Sequence, residues 1–277
     1  MVIKISTHQN NKISYSLTQG LSDKVYWHGY IQFYEKFFQG RTLNRIAEFG
    51  VFQGNSIRWL LERFPDAKIF GADISPIKEN WPVDPRFQFI QLDQDSKEQV
   101  ANFLSLEKFD LIIEDGSHQP KHQINCLIEG LKALNSNGIY ILEDVQTSRK
   151  DHHWWNKKIR FWKLIKKFQY KKHLTQQHLD QGNALHALLA IDHYQRIQKV
   201  IGQEIMEKIA SASMLNIHDV EVLVANIKEI YLYQRNHLPD FCHRCGSVDY
   251  VYSKLKCHCG EQVFSDADSM AFVVIKR

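Results

Sequence analysis

From Arg45 onward the chain settles into one rhythm: apolar runs ending in glycine or an acid alternate with stretches of helical periodicity. Such alternation builds βαβ units, and these units build a mainly parallel sheet covered by helices on both faces. The pattern predicts strands near 45–50, 68–73, 86–91, 109–114 and 138–143, with helices near 54–64, 96–104 and 121–134. Asn137-Gly138 supplies a turn just ahead of the fifth strand. Two later runs, 227–233 and 271–276, read as further strands. The expected organisation is a helical segment 1–44, an α/β core 45–145, a helical insertion 146–226, and closing strands 227–277 interrupted by a small cysteine-bearing insertion at 239–265.

The joint between the first strand and its helix reads Glu48-Phe49-Gly50-Val51-Phe52-Gln53-Gly54-Asn55-Ser56. Glycine at 50 and 54 lets the backbone bend sharply and approach a ligand closely, and the following helix start offers unpaired N–H groups. The spacing is not the G-x-G-x-x-G of a pyrophosphate-binding turn. A looser E-x-G-x-x-x-G suits a nucleoside without a pyrophosphate. The second strand ends at Asp73, whose carboxylate is placed to accept both hydroxyls of a ribose. The third ends in Gln91-Leu92-Asp93-Gln94-Asp95, with polar groups where an adenine edge would lie. Taken singly, each element is equally well a tight turn or a surface acid; their order and spacing favour the nucleoside.

The fourth strand runs into Glu114-Asp115-Gly116-Ser117-His118, and the fifth into Glu143-Asp144. Ligands of a doubly wound sheet gather at the carboxyl ends of its strands. Neighbouring strands lie about 4.8 Å apart, so Asp115, Glu143 and Asp144 are expected to crowd together. Close carboxylates raise one another's pKa unless a cation lies between them, and an all-oxygen donor set favours a hard ion such as Mg²⁺. His118 stands three residues beyond Asp115, within reach of a bound hydroxyl. An unperturbed pKa of about 6.5 suits it to proton abstraction. The competing reading has these acids capping strands at the surface and His118 capping a helix.

These segments, with Tyr140–Asp144 and the upstream Ser22-Asp23-Lys24-…-His28-Gly29-Tyr30-…-Tyr34-Glu35, resemble class I methyltransferases of the metal-dependent sugar O-methyltransferase group. The likeness covers roughly residues 22–148, and D-G-S-H and E-D are its most specific parts. It implies a Rossmann-like sheet closed by the two late strands. It also implies S-adenosylmethionine contacts from Glu48, Gly50, Gly54, Ser56, Asp73, Asp93 and Gln94. Asp115, Glu143 and Asp144 are implied as ligands of Mg²⁺ or another divalent ion, and His118, with Asp115, as the catalytic pair in which His118 is the general base. The loop departs from the group in carrying Asn55 where a second glycine is usual. The cysteine cluster and the basic insertion are not part of the group's pattern.

Those two additions have readings of their own. Cys242-x-x-Cys245 and Cys257-x-Cys259 lie in a glycine-containing hairpin, and four thiolates satisfy a closed, structural Zn²⁺ site. The second pair is spaced C-x-C, so His243 or His258 is a candidate replacement for one thiolate. Cys126, alone in a helical stretch, reads as a small core residue. In 152–173, tryptophans and phenylalanines interleave with lysines and arginines, and no acid occurs between Asp151 and Asp180. That stretch is either a docked helix with a solvated basic face or a contact for an anionic glycan or a membrane carrying a lipid-linked acceptor.

The whole chain carries a formal net charge of +4, and 44% of its residues are hydrophobic. Neither this composition nor any apolar run calls for a membrane span. The first residues lack an apolar signal core, so export is not expected and the cytoplasm, with peripheral membrane contact left open, is the expected compartment. The expected activity is methylation of a sugar hydroxyl in a glycan, lipopolysaccharide or glycosylated metabolite. An RNA-modifying methyltransferase and a non-catalytic glycan-binding module are the alternatives, with nucleic acid ranked lowest; an oligomer is left open.

Overall fold

A computed structural model describes residues 22–149, 182–198, 200–264 and 269–277. Its centre is a seven-stranded sheet. Strands β1 (Arg45–Phe49), β2 (Lys68–Asp73), β3 (Phe87–Gln91), β4 (Phe109–Glu114) and β5 (Leu134–Leu142) run parallel in the order β3-β2-β1-β4-β5. β9 (Met270–Lys276) inserts antiparallel between β5 and β6 (Ile227–Gln234), completing the order β3-β2-β1-β4-β5-β9-β6. The order reverses direction between β1 and β4, and such a switch point opens a crevice at the strand tips. A two-stranded hairpin, β7 (Tyr250–Val251) with β8 (Lys256–Cys257), lies between β6 and β9 in sequence.

The central strands are apolar along their whole length because both faces of the sheet are covered. On one face Ile46, Ile69, Leu111, Ile113, Ile139 and Ile141 meet helices α2 (Tyr30–Phe38) and α3 (Asn55–Arg63). Their alternate neighbours Ala47, Phe70, Phe109, Ile112, Tyr140 and Leu142 meet α4 (Lys97–Leu104) and α5 (Pro120–Ala133) on the other. Helix α6 (Ala184–Gln198) extends that second layer, backed by α7 (Gln203–Ser213) and α8 (Ile217–Asn226). Cys126 is buried within it. A short helix α1 (Asp23–Tyr26) precedes α2 and lies beside the hairpin. Among the described residues no helix is long and apolar enough to cross a membrane. The basic, aromatic stretch 152–173 lies outside the described residues.

The fifth strand departs from expectation. It starts at Leu134, directly after α5, and Asn137-Gly138 falls inside it instead of ahead of it. The turn signal is nevertheless real. Phe109 pairs with Leu134 and Leu111 with Ile139, so residues 135–138 bulge out of the ladder. Asn137 there adopts a left-handed φ of 59°, a conformation asparagine tolerates better than most residues.

Helix α5 is buried on most of its circumference, and at Gly130 it packs closely against the sheet. A Cβ at that position would lie 2.3 Å from the ring of Tyr140, which is fully buried. Alanine would gain about 1 kcal/mol of helix propensity, but overpacking a closed core costs about 1–3 kcal/mol. Gly130→Ala is therefore expected to be net destabilising, lowering the thermal midpoint by about 2–4 °C per kcal/mol lost. A midpoint equal to or above wild type in differential scanning calorimetry would contradict the packing described.

Candidate active site and metal centre

The C-terminal tips of β1, β2, β4 and β5 open onto a cleft of about 830 Å³, a size suited to a nucleoside-sized ligand. Gly50 forms its floor with a φ of +91°, and a Cβ there would meet the backbone oxygen of Asp115 at 2.0 Å. Only glycine lets the loops after β1 and β4 touch in this way. Gly50, Asp73, Asp93 and Gln94 line the cleft, as do Asp115, His118, Glu143 and Asp144.

Several of these residues first order their own loops. Asp73 accepts the backbone N–H groups of Phe52 (2.9 Å) and Ser75 (2.8 Å), which fixes the loop leaving β1. Asp93 accepts from the backbone of Asp95 at 2.9 Å. Gln94 donates to Glu114 Oε1 at 2.8 Å and accepts the Ser117 N–H at 2.9 Å, pinning the turn that carries Asp115 and His118. Glu48, Gly54 and Ser56, expected as cofactor contacts, do not line this cleft. Glu48 is fully buried and accepts the Ser56 hydroxyl, so these two bond to each other beneath the loop. Gly54 instead turns the chain into α3.

The carboxylates do crowd together, as strand spacing required, but the cation between them belongs to the chain. Lys24, only 2% exposed, donates to Asp115 Oδ2 at 2.6 Å and to Glu143 Oε1 at 2.5 Å, with Glu48 Oε1 at 3.6 Å. Glu143 is thus tied to an ammonium group. The donors gathered within 4.8 Å of one another are instead Asp115, His118 and Asp144. His118 Nδ1 lies 3.9 Å from Asp115 Oδ1, and its Nε2 lies 3.6 Å from Asp144 Oδ2. The other oxygen of Asp144 accepts from the Tyr30 hydroxyl at 2.7 Å and from Gln146 at 3.1 Å. His118 and Asp144 both adopt positive φ, 56° and 53°. Non-glycine residues rarely do so, and such strain concentrates at working sites.

Electrostatics follow from this packing. Burial would lower the pKa of Lys24, yet Asp115, Glu143 and Glu48 together hold it well above the usual lysine range. Burial raises Glu48 to about 7, against the opposing pull of Lys24 and the Ser56 hydroxyl. Glu143 is pushed well up by burial and by Asp115. Burial alone would raise Asp144, but His28 and His118 and the bonds from Gln146 and Tyr30 bring it below its ordinary value. For His118 burial works downward, and Asp144, Asp115 and Glu114 overcome it, so the imidazole is more basic than usual.

No motif in the sequence assigns a role to Lys24, His28 or Tyr30. All three come from the segment before β1, and a lysine among aromatic residues reads locally as a surface charge. The available signal was indirect: three crowded carboxylates demand a cation, and Lys24 lies in the upstream segment that carries part of the resemblance.

The residues present fit a cationic cofactor and a hard metal. Asp73, Asp93, Asp115 and Asp144 line the cleft with acidic oxygens, a surface whose field favours a cation. Asp115 and Asp144 supply oxygen donors suited to a divalent ion.

A second donor group lies in the hairpin. Cys242, Cys245, Cys257 and Cys259 converge within 4.8 Å, all as free thiols, with Cys242–Cys259 Sγ atoms 3.7 Å apart and Cys245–Cys257 Sγ atoms 3.3 Å apart. Tetrahedral Zn²⁺ with bonds of about 2.3 Å sets its sulfurs about 3.8 Å apart, so the set fits. The C-x-C spacing of the second pair does not keep its thiols apart. Backbone N–H groups of Arg244 and Cys245 also point to the Cys242 sulfur.

Comparison with known proteins bears on this architecture. A family profile described as "Methyltransferase domain" matches residues 47–145. Two Streptomyces olivaceus proteins are each 28% identical to the chain. One is a rhamnosyl-tetracenomycin 3'-O-methyltransferase, aligned over 163 residues covering 53% of this chain and 40% of its own length. The other is a 2'-O-methyltransferase for the same class of compound, aligned over 46% of this chain and 36% of its own. The chain thus spans well under half of either relative. Among solved structures, the MycE methyltransferase of mycinamycin biosynthesis, in complex with Mg, S-adenosylhomocysteine and mycinamycin VI, superposes with a TM-score of 0.55. It is 19% identical and covers 95% of this chain and 53% of MycE.

Lys24→Met would leave Asp115, Glu143 and Glu48 buried around an apolar side chain. Removing one partner of a buried ion pair costs about 3–5 kcal/mol, and that loss is expected in urea unfolding of the variant. A loss below about 1 kcal/mol, the value of an exposed pair, would show that Lys24 does not neutralise this cluster. Residues 47–145 thus match a methyltransferase-domain profile, and the fold is similar to that of the solved MycE methyltransferase.

Proposed function

We propose that the chain methylates a sugar hydroxyl, with S-adenosylmethionine in the cleft and a divalent metal at its lip. The observation that carries this reading is the convergence of Asp115, His118 and Asp144 beside Gly50, where a methyl donor and an acceptor hydroxyl would meet. Sugar O-methylation by the two curated relatives, and the Mg and S-adenosylhomocysteine held by MycE, support it. They favour it over an RNA acceptor or a non-catalytic module.

Asp73 would take the ribose hydroxyls, since each of its oxygens keeps a lone pair beyond its backbone bond. Phe52 and Ile74, exposed apolar side chains at the cleft, would cover the base, with Asp93 and Gln94 at its edge. Asp115 and Asp144 would hold the divalent ion, their oxygens being harder donors than an imidazole nitrogen, with Glu143 anchored beside them by Lys24. The cofactor would supply a methyl group on a sulfonium centre, and the metal Lewis acidity and orientation. His118 then takes the acceptor's hydroxyl proton on a ring nitrogen as that oxygen forms its bond to the methyl carbon and the carbon–sulfur bond breaks. The Thr147 hydroxyl donates to the His118 carbonyl at 2.7 Å and holds the strained backbone in place.

The acceptor would be a sugar of a glycan, lipopolysaccharide or glycosylated metabolite. The four cysteines would hold a structural Zn²⁺. The basic stretch 152–173 is the part of the chain that argues for an anionic or lipid-linked acceptor.

Methyl transfer from labelled cofactor to rhamnosylated compounds and extracted glycans, in the presence of Mg²⁺, tests the reading. His118→Ala is expected to lower turnover by about 10²–10⁴-fold, the usual worth of a general base, and Asp115→Asn to do so comparably. Cofactor affinity by calorimetry should stay near wild type in both. Undiminished turnover in either variant would remove that residue from its role.

A further inference from the structure

The cysteine hairpin lies outside the matched domain, yet it grips the element that delivers Lys24. Helix α1 has four residues, far too few to hold itself together. Its carboxyl end is fastened from outside. The Asp240 N–H donates to the Tyr26 carbonyl at 2.9 Å, and Arg235 donates to the Trp27 carbonyl at 2.7 Å and to Val263 at 2.9 Å. The Tyr26 ring stacks on Phe241 and the Trp27 ring stands edge-on to His243, both with centroids 4.3 Å apart. Tyr26 and Trp27 form one buried cluster with Cys242, Tyr250, Cys257 and Val263. Lys24 leaves the same helix in another direction, into the carboxylates.

The hairpin cannot supply this grip unaided. Its strands have two residues each, and two of the four buried residues it adds to the cluster are Cys242 and Cys257 themselves, beside Tyr250 and Val263. So small a core needs a metal or a disulfide to order it, and the thiols here are unpaired.

We propose that Zn²⁺ held by Cys242, Cys245, Cys257 and Cys259 is a positioning metal for the active site. By ordering the hairpin it fixes α1, and α1 sets Lys24 Nζ among Asp115, Glu143 and Glu48. Lys24 is thereby a positioning residue whose place depends on an ion bound at a separate site. Only the activity readout of this inference rests on the methyl-transfer reading.

The test uses the full chain. Elemental analysis is expected to find one zinc per chain, released by a thiol-reactive mercurial with a chelator. Hydrogen exchange should then show lost protection at the amides of 25–28 and 240–242, while strands β1, β4 and β5 stay protected and cofactor affinity is kept. Zinc removal should lower kcat by about 10–100-fold, the usual effect of groups that orient a metal site from behind. In Lys24→Met it should cause little further loss, because the element it acts through is already gone. Absence of a thiolate-bound metal, unchanged exchange at 25–28 after its removal, or an equal kcat loss in both backgrounds would each overturn the proposal. If no sugar is methylated at all, the proposed function fails while the zinc and exchange results still decide this inference.

Discussion

Everything at the strand tips depends on one buried ammonium group. Asp115 and Glu143 end adjacent parallel strands and Glu48 lies one strand further along, so their charges share one small volume, with Glu48 and Glu143 fully buried and Asp115 at its open edge. Like charges so placed cannot all stay ionised without a counter-charge. The fold meets that need with a lysine from before the first strand. The choice leaves Asp115 Oδ1 and Asp144 Oδ2 turned toward His118 and available to a ligand. One oxygen of Asp115 thus meets the Lys24 ammonium while the other faces His118.

The parallel sheet was legible because both of its faces are buried: its strands had to be continuous apolar runs, and each ended in glycine or acid where the chain turned. The crowding of Asp115 with Glu143 and Asp144 was legible for a simpler reason, since the spacing of parallel strands is nearly constant. Lys24 was not legible, because burial of a charge is decided by tertiary neighbours far away in the chain. The same limit applies to Glu48 and Ser56. The motif marks them as special, but whether they face a ligand or each other depends on the tilt of the loop above them. At Asn137-Gly138 the local signal was correct and its context was wrong: a turn dipeptide marks a bulge as readily as a loop.

The hairpin stands in a different relation to the sequence. Its four cysteines are obvious, while its purpose is visible only in what it touches. Tyr26 and Trp27 look like ordinary core residues until Phe241 and His243 are found against them. A peripheral insertion that leaves the strand order unchanged therefore reaches the centre of the site through two aromatic contacts and a short helix.

The contact between Gly50 and the Asp115 carbonyl has an evolutionary consequence. Because the two loops meet backbone to backbone, the gap between Gly50 and the Asp115 segment is set by main-chain geometry. Substitutions elsewhere in the cleft cannot widen or narrow that gap. The spacing of these two loops can stay constant on this scaffold while the side chains that form the walls of the cleft change.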